Sequence, residues 1–381
     1  MAEKRSIFED VGSDTKPAQT PKGGLIDGTR KGARGAIRRW LMVLFALVVI
    51  MIAVGGLTRL TDSGLSITEW RPVTGALPPM GEVAWEAELE KYRQIPEYQL
   101  QNKGMTMSEF KVIYWWEWGH RQLGRVIGLV WALGFFYFLL TKKIPNGWTG
   151  RLLVLGGLGG LQGAIGWWMV SSGLTGGMLD VASYRLATHL GLAFLILGVI
   201  AWFAMLLGRS DADLLQARRA REGKLFGLAT GLTHFVFLQI LIGALVAGID
   251  AGRTYNEWPL MGGSFVPPTA FDLEPLWRNF FENAGLVQFI HRVTGYLLLV
   301  FGVVVWWRSR GSGNSETRFA FNAVLGVMVV QMGIGIMTVL YSAPWQMAIL
   351  HQFVAVLLYV AVLRARFLAQ YPKAQSVRGR T

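Results

Sequence analysis

Apolar residues in this chain run in long uninterrupted blocks, separated by polar stretches that carry Gly and Pro. A block of about 20 apolar residues crosses a bilayer as a helix, since a helix satisfies its own backbone hydrogen bonds there. Eight blocks qualify: 38–57, 121–140, 152–170, 186–207, 225–248, 288–307, 319–340 and 346–363. They predict an all-α membrane protein with eight transmembrane helices. The first block follows a polar tail, is full length and precedes no small-residue cleavage site, so it reads as a span and not as a cleaved signal peptide.

The blocks repeat. Gly55-Gly56-Leu57, Asp62-Ser63-Gly64 and Glu69-Trp70 recur as Gly243-Ala244-Leu245, Asp250-Ala251-Gly252 and Glu257-Trp258, each 188 residues on. Block two opens on Gly119-His120-Arg121-Gln122-Leu123-Gly124 and block six on Ile290-His291-Arg292-Val293-Thr294-Gly295. Block three holds Gln162-Gly163-Ala164-Ile165-Gly166 and block seven Gln331-Met332-Gly333-Ile334-Gly335; blocks four and eight hold His189 and His351. This order predicts two pseudo-symmetric four-helix bundles. With four spans each, the halves share one orientation in the membrane. The division is a polar tail (1–37), an N-terminal half (38–207), a linker (208–224), a C-terminal half (225–366) and a second tail (367–381).

Hydrophobic residues make up 52% of the 381, which leaves too little chain for a large soluble domain. The net charge of +13 would suggest nucleic acid were the basic residues not sorted by loop. Of the 37 Lys and Arg, 25 fall on the side holding both termini and the 208–224 linker. The positive-inside rule makes that side cytoplasmic. Its clusters then face anionic lipid, and no nucleic acid partner is expected. The other side carries two long loops, 58–119 and 249–287, with short helices expected near 82–94 and 108–118. Tyr114, Trp115, Trp116 and Trp118 read as an interfacial aromatic belt. The chain has no cysteine, so no thiolate can ligate metal or attack a substrate, and metal chemistry falls to histidine, carboxylate or methionine.

Four of the five histidines, His120, His189, His291 and His351, lie within about one turn of the outward ends of blocks two, four, six and eight. Ionisable groups at such depth are costly and mark function. Paired imidazoles on facing helices suit zinc, copper or haem iron. The residues four positions later, Gly124, Ala193, Gly295 and Ala355, are all small. They lie on the same helix faces as the histidines and would clear a flat macrocycle, though helix packing uses small residues too. His234, mid-span in block five, reads as a buried histidine bonded to a neighbouring helix. Arg121 and Arg292 can pair with haem propionates or snorkel to lipid phosphate. Glu117 precedes His120 by three residues where the second half has Gln288, so only the first half offers an acid or base near the haem edge.

These residues resemble the haem A synthases. The likeness covers roughly residues 36–366 and rests on Glu117-Trp118-Gly119-His120-Arg121, Gly55-Gly56-Leu57-Thr58-Arg59-Leu60-Thr61, Ser63-Gly64-Leu65-Ser66, Glu69-Trp70-Arg71-Pro72, His291-Arg292, His189 and His351. It implies oxidation of the C8 methyl of haem O to a formyl group by successive hydroxylations, supplying haem A to terminal oxidases. It further implies a haem b cofactor between His291 and His351, substrate haem O between His120 and His189, and Glu117 as the important acid. The expected setting is the cell inner membrane, with the haem sites near the outer face. Expected partners are the haem O synthase that supplies the substrate and an electron donor of unidentified nature; an oligomer is compatible. Many bacterial members carry a cysteine pair in the first outer loop, and its absence here resembles the branch that includes mitochondrial-type enzymes. Two other classes share features with the chain. A di-haem b-type quinol or ferric reductase usually stacks its haems across the membrane, whereas these histidines crowd one face. A transporter would place charged or broken-helix sites at midplane.

Overall fold

The computed structural model describes residues 33–175 and 178–374; most of the two tails therefore lies outside the described residues. Among the described residues, eight helices are long and apolar enough to cross a membrane. They are α1 (Arg34–Leu60), α4 (Met107–Leu140), α5 (Thr149–Gly173), α6 (Ser183–Leu207), α8 (Gly223–Gly248), α10 (Ala284–Ser309), α11 (Ser315–Leu340) and α12 (Trp345–Gln370). Every predicted span falls inside one of them. Shorter helices α2 (Glu82–Arg93), α3 (Pro96–Leu100), α7 (Asp211–Arg219) and α9 (Asn279–Glu282) lie in the connections. The linker is therefore partly helical, and the last span runs to Gln370.

Three of the span helices begin ahead of their apolar blocks at polar caps that fill free N–H groups. Asn283 caps α10 and Asn314 caps α11. Thr106 and Glu109 form a reciprocal capping box at the start of α4. The amphipathic stretch expected at 108–118 is thus the outer end of α4 itself. Its Tyr114 is buried against Trp85 and Phe110, in a small core formed by the first outer loop. Trp115 and Trp116 stay exposed, so the expected belt loses Tyr114 to the loop core.

In the first half α1 packs on α4 and α6, and α5 on α4 and α6; in the second α8 packs on α10 and α12, and α11 on α10 and α12. The halves meet where α6 lies on α8 and α12, and where α1 lies on α12. Small residues permit that approach. A Cβ at Gly198 would sit 2.7 Å from the Tyr359 hydroxyl, and one at Gly248 would sit 2.9 Å from Ser183 Cα. Three polar contacts cross the seam near the loop-rich face, one of them from the Ser183 hydroxyl to the Phe281 carbonyl at 2.9 Å. Gln352 donates to the Ile52 carbonyl at 2.6 Å, its side chain filling the space beside Gly56. The Arg59 guanidinium reaches Asp62 (3.1 Å), Asp180 (3.5 Å) and Asp250 (2.9 Å).

Candidate functional site

All four predicted histidines sit in the N-terminal halves of their helices, and each imidazole rests on a glycine of the preceding span. An ideal Cβ would lie 3.4 Å from His120 Nε2 at Gly55, and 2.8 Å from His189 Cε1 at Gly166. At Gly243 it would lie 3.1 Å from His291 Cε1, and at Gly335 2.9 Å from His351 Cε1. The pairing is thus α1 with α4, α5 with α6, α8 with α10, and α11 with α12. Glycine gives each ring the room a side chain would fill. Gly124 faces Met51 and Gly295 faces Gln239.

A glutamine stands one turn before three of these four glycines. Gln162 Nε2 lies 3.2 Å from His189 Nδ1 and 3.0 Å from the His189 carbonyl. Gln239 Nε2 lies 3.1 Å from His291 Nδ1 and 2.8 Å from the His291 carbonyl. Gln331 Nε2 lies 3.3 Å from His351 Nε2. Sequence reading noted two of these glutamines as repeat markers and missed their role. The recurring Gln-x3-Gly spacing was the available signal.

The His291 and His351 ring centroids are 6.4 Å apart, with planes at 76°. Two imidazoles on opposite faces of one metal, with bonds of about 2 Å each, place their centroids roughly 6 Å apart. The pair therefore fits a single iron between them. His351 Nδ1 is buried without a hydrogen-bond partner, as is Gln331 Oε1; a site that orients its rings and leaves a ring nitrogen unpartnered suits a ligand. His234 belongs to neither pair. It is exposed and bonds at 2.9 Å to the Thr230 carbonyl of its own helix, contrary to the buried, cross-helix role expected of it.

Glu117 is buried and fully bonded. Its Oε2 accepts from the Ser66 hydroxyl (2.7 Å) and the Ile67 N–H (2.7 Å), and its Oε1 accepts from Arg121 Nε (3.0 Å) and Nη2 (2.6 Å). Four donors fill the four lone-pair directions of the carboxylate. Arg121 donates further to the carbonyls of Ile67 (2.8 Å) and Glu69 (3.0 Å). Arg292 donates to the carbonyls of Tyr255 (2.8 Å) and Glu257 (2.8 Å), the repeat counterparts of Ile67 and Glu69. Both arginines thus fasten the long loop of their half onto the histidine helix, an arrangement sequence reading did not anticipate. Gln288 donates to the Tyr255 carbonyl at 3.0 Å, leaving its Oε1 buried and unpartnered. The first loop is fastened again where Trp70 stacks on Trp167 of α5 at 6.1 Å. Above the first half, burial pushes the Glu97 carboxyl up to about 8, helped by Asp180, Asp62 and Glu117.

Comparison with known proteins places this geometry in a family. The COX15-CtaA profile, described as cytochrome oxidase assembly protein, matches residues 38–363. Proteins named heme A synthase align end to end. The one from Ruegeria sp. (strain TM1040) is 68% identical, covering 98% of this chain and 99% of that protein. The one from Ruegeria pomeroyi is 67% identical over 100% of both, and the one from Paracoccus denitrificans 61% identical over 99% of both. The chain, with its four glycine-cradled histidines, belongs to the COX15-CtaA family of cytochrome oxidase assembly proteins.

Proposed function

We propose that this multi-pass membrane protein is a haem A synthase, a haem-dependent oxidoreductase that oxidises the C8 methyl of haem O to the formyl group of haem A. The observation that carries the reading is the His291–His351 pair, spaced for one iron. That pair would hold a resident haem b, and His120 with His189 would hold the haem O substrate. A bound haem b supplies one-electron redox chemistry; the protein supplies ligation, orientation and a dry site. Gly166, Gly243 and Gly335 limit the depth of the His189, His291 and His351 rings, each of which also lies beside a glutamine nitrogen. Glu117, present in the first half only, holds residues 66 and 67 and Arg121 over His120, which supports the first half as the reaction site. For propionate pairing Arg292 is the better placed arginine. Its Nε is buried and unpartnered, whereas every nitrogen of Arg121 has a partner. The basic-residue asymmetry supports cytoplasmic termini, with the haem sites near the outer face of the inner membrane. Haem O synthase and an electron donor are the expected partners.

Replacing His291 or His351 by Met should remove or alter the low-spin haem in the reduced absorption spectrum, while His234→Ala leaves it intact. Extracted pigment should shift from haem A to haem O. Unchanged spectra in both His291→Met and His351→Met would refute the assignment, and haem b as the sole pigment of producing cells would indicate an electron carrier.

A further inference from the structure

Just beyond the carbonyls that hold Arg121 and Arg292, each long loop enters a segment without charge. Residues 72–81 (Pro-Val-Thr-Gly-Ala-Leu-Pro-Pro-Met-Gly) carry none, and the same positions 188 residues on, 260–269, carry none either. Their apolar side chains turn outward. Val73 is 80% exposed, Leu77 78% and Met80 79%. Phe265, the repeat counterpart of Leu77, is 62% exposed. A lone exposed apolar side chain is ordinary, whereas a run of them marks a surface that something covers.

Both segments are tied down along the histidine helix of their half. About 20 helical residues cross the hydrocarbon of a bilayer; counted back from Leu140, the end of α4, they begin at Arg121. Arg125 therefore lies one turn inside the span, with its side chain directed back toward the loops. Its Nε donates to the Pro72 carbonyl and its Nη2 to the Arg71 carbonyl, both at 2.9 Å. Tyr296 follows His291 by five residues, as Arg125 follows His120, and its hydroxyl accepts from Trp258 Nε1 at 2.8 Å. One and two turns further in, on the same helix faces, α4 exposes Leu129 and Leu133 and α10 exposes Val300 and Val304. The two segments thus cap stripes that face lipid.

Their backbone suits that place, because an irregular segment beside lipid has little water to bond with. Pro72, Pro78 and Pro79, like Pro267 and Pro268, have no N–H to satisfy. Gly75, Ala76 and Leu77 donate to the Arg71, Val73 and Thr74 carbonyls at 3.2, 3.1 and 3.4 Å. Met261 and Ser264 exchange backbone hydrogen bonds of 2.8 and 3.3 Å.

We infer that both segments are interfacial straps, which sink Leu77 and Phe265 with their apolar neighbours into the acyl-chain boundary of the leaflet on the loop-rich face. The polar Gly262-Gly263-Ser264 tip stays among the headgroups. Lipid is the partner because the strap recurs in both halves, on different helices, each time continuous with a lipid-facing stripe; only the bilayer borders both. The straps follow closely on Glu69 and Glu257, whose carbonyls accept from Arg121 and Arg292, so the membrane itself presses each loop against its histidine helix.

The chain has no cysteine, so single cysteines can carry a nitroxide label with no other change. Leu77→Cys, Met80→Cys and Phe265→Cys are labelled in the full-length protein, with Lys103→Cys as an exposed reference elsewhere in the first loop. Each is placed in nanodiscs of phosphatidylcholine and phosphatidylglycerol, and a parent-like unfolding temperature establishes its fold. Power saturation then reads collisions with oxygen, which concentrates among acyl chains, and with nickel-EDDA, which stays in water. The oxygen-to-nickel ratio at positions 77, 80 and 265 should exceed that at 103 several-fold. Ratios equal to that at 103 would put the straps in water. Weak collisions with both reagents would mean that protein, a partner or a second copy, covers them. Either result overturns the inference.

Discussion

Replacing each cradle glycine by alanine gives a graded series whose order follows from geometry. Carbon atoms in contact settle about 3.5–4.0 Å apart. A Cβ at Gly166, 2.8 Å from His189, would have to push the ring back about 0.7 Å to reach that distance. The corresponding shift is about 0.6 Å at Gly335 and about 0.4 Å at Gly243, whose gaps are 2.9 and 3.1 Å. At Gly55 the 3.4 Å gap is already an ordinary contact. Overpacking of this kind costs roughly 1–3 kcal/mol, while removing a helical glycine returns about 1 kcal/mol. Gly55→Ala should therefore be neutral or slightly stabilising. Gly243→Ala should be close to neutral in stability, and Gly166→Ala and Gly335→Ala should be destabilised and lose haem from their own half. The ring at Gly166 and Gly335 cannot slide freely, because Gln162 and Gln331 hold it from the side. Haem per protein, from pyridine haemochromogen spectra of the purified variants, would be read beside thermal unfolding in detergent. Equal losses at all four positions, or the largest loss at Gly55, would refute the cradle.

Three further outcomes follow. Because the chain has no cysteine, Ser264→Cys should label from outside intact cells and Arg219→Cys only after permeabilisation; labelling of both from one side would exclude the eight-crossing topology. Glu117→Gln removes the carboxylate from a buried ion pair with Arg121, so it should lower stability by about 3–5 kcal/mol as well as reduce haem A against haem O on chromatography; an unchanged melting temperature would show that Glu117 is no clamp. Glu97 titrates near 8 in the folded chain against about 4.3 when unfolded, so the folded form binds the extra proton between those values and stability falls as pH rises through that window. Glu97→Gln should flatten that fall, and an identical pH profile in parent and variant would count against a buried neutral carboxyl.

The spans were legible because a lipid-crossing helix must be apolar along its length, and the repeat was legible because duplicated helices keep their glycines and histidines in register. Helix ends were less so. Residues 108–118 read as a separate amphipathic helix, since nothing local says that the capping box at Thr106 starts a helix running on to Leu140. Among site residues the histidines stood out, for a titratable group at that depth has few other uses. Their supports did not. The partners of Glu117 are Ser66 and Ile67, about fifty positions away, and only folding reveals that its four acceptor sites are filled. Arg121 and Arg292 were weighed between propionate and lipid, while their carbonyl partners depend on loop paths no periodicity encodes. Likewise the glutamine–glycine spacing is visible three times, but which histidine each serves depends on which helices pack together.

Arg59 carries a consequence for how such a chain came to be. Asp62 and Asp250 are repeat counterparts with nearly the same left-handed backbone, φ 48° and 50°, and both bind the one guanidinium. The counterpart of Arg59 itself is Ala247. In a dimer of identical halves every side chain occurs twice, so an arginine on the twofold would meet its own copy and the two cations would repel. A single cation shared by two symmetry-related carboxylates is open only to halves free to differ, joined in one polypeptide. The seam therefore records divergence of the two halves after duplication. A second half expressed alone would also present Asp250 at an interface whose cation had stayed behind on the other fragment.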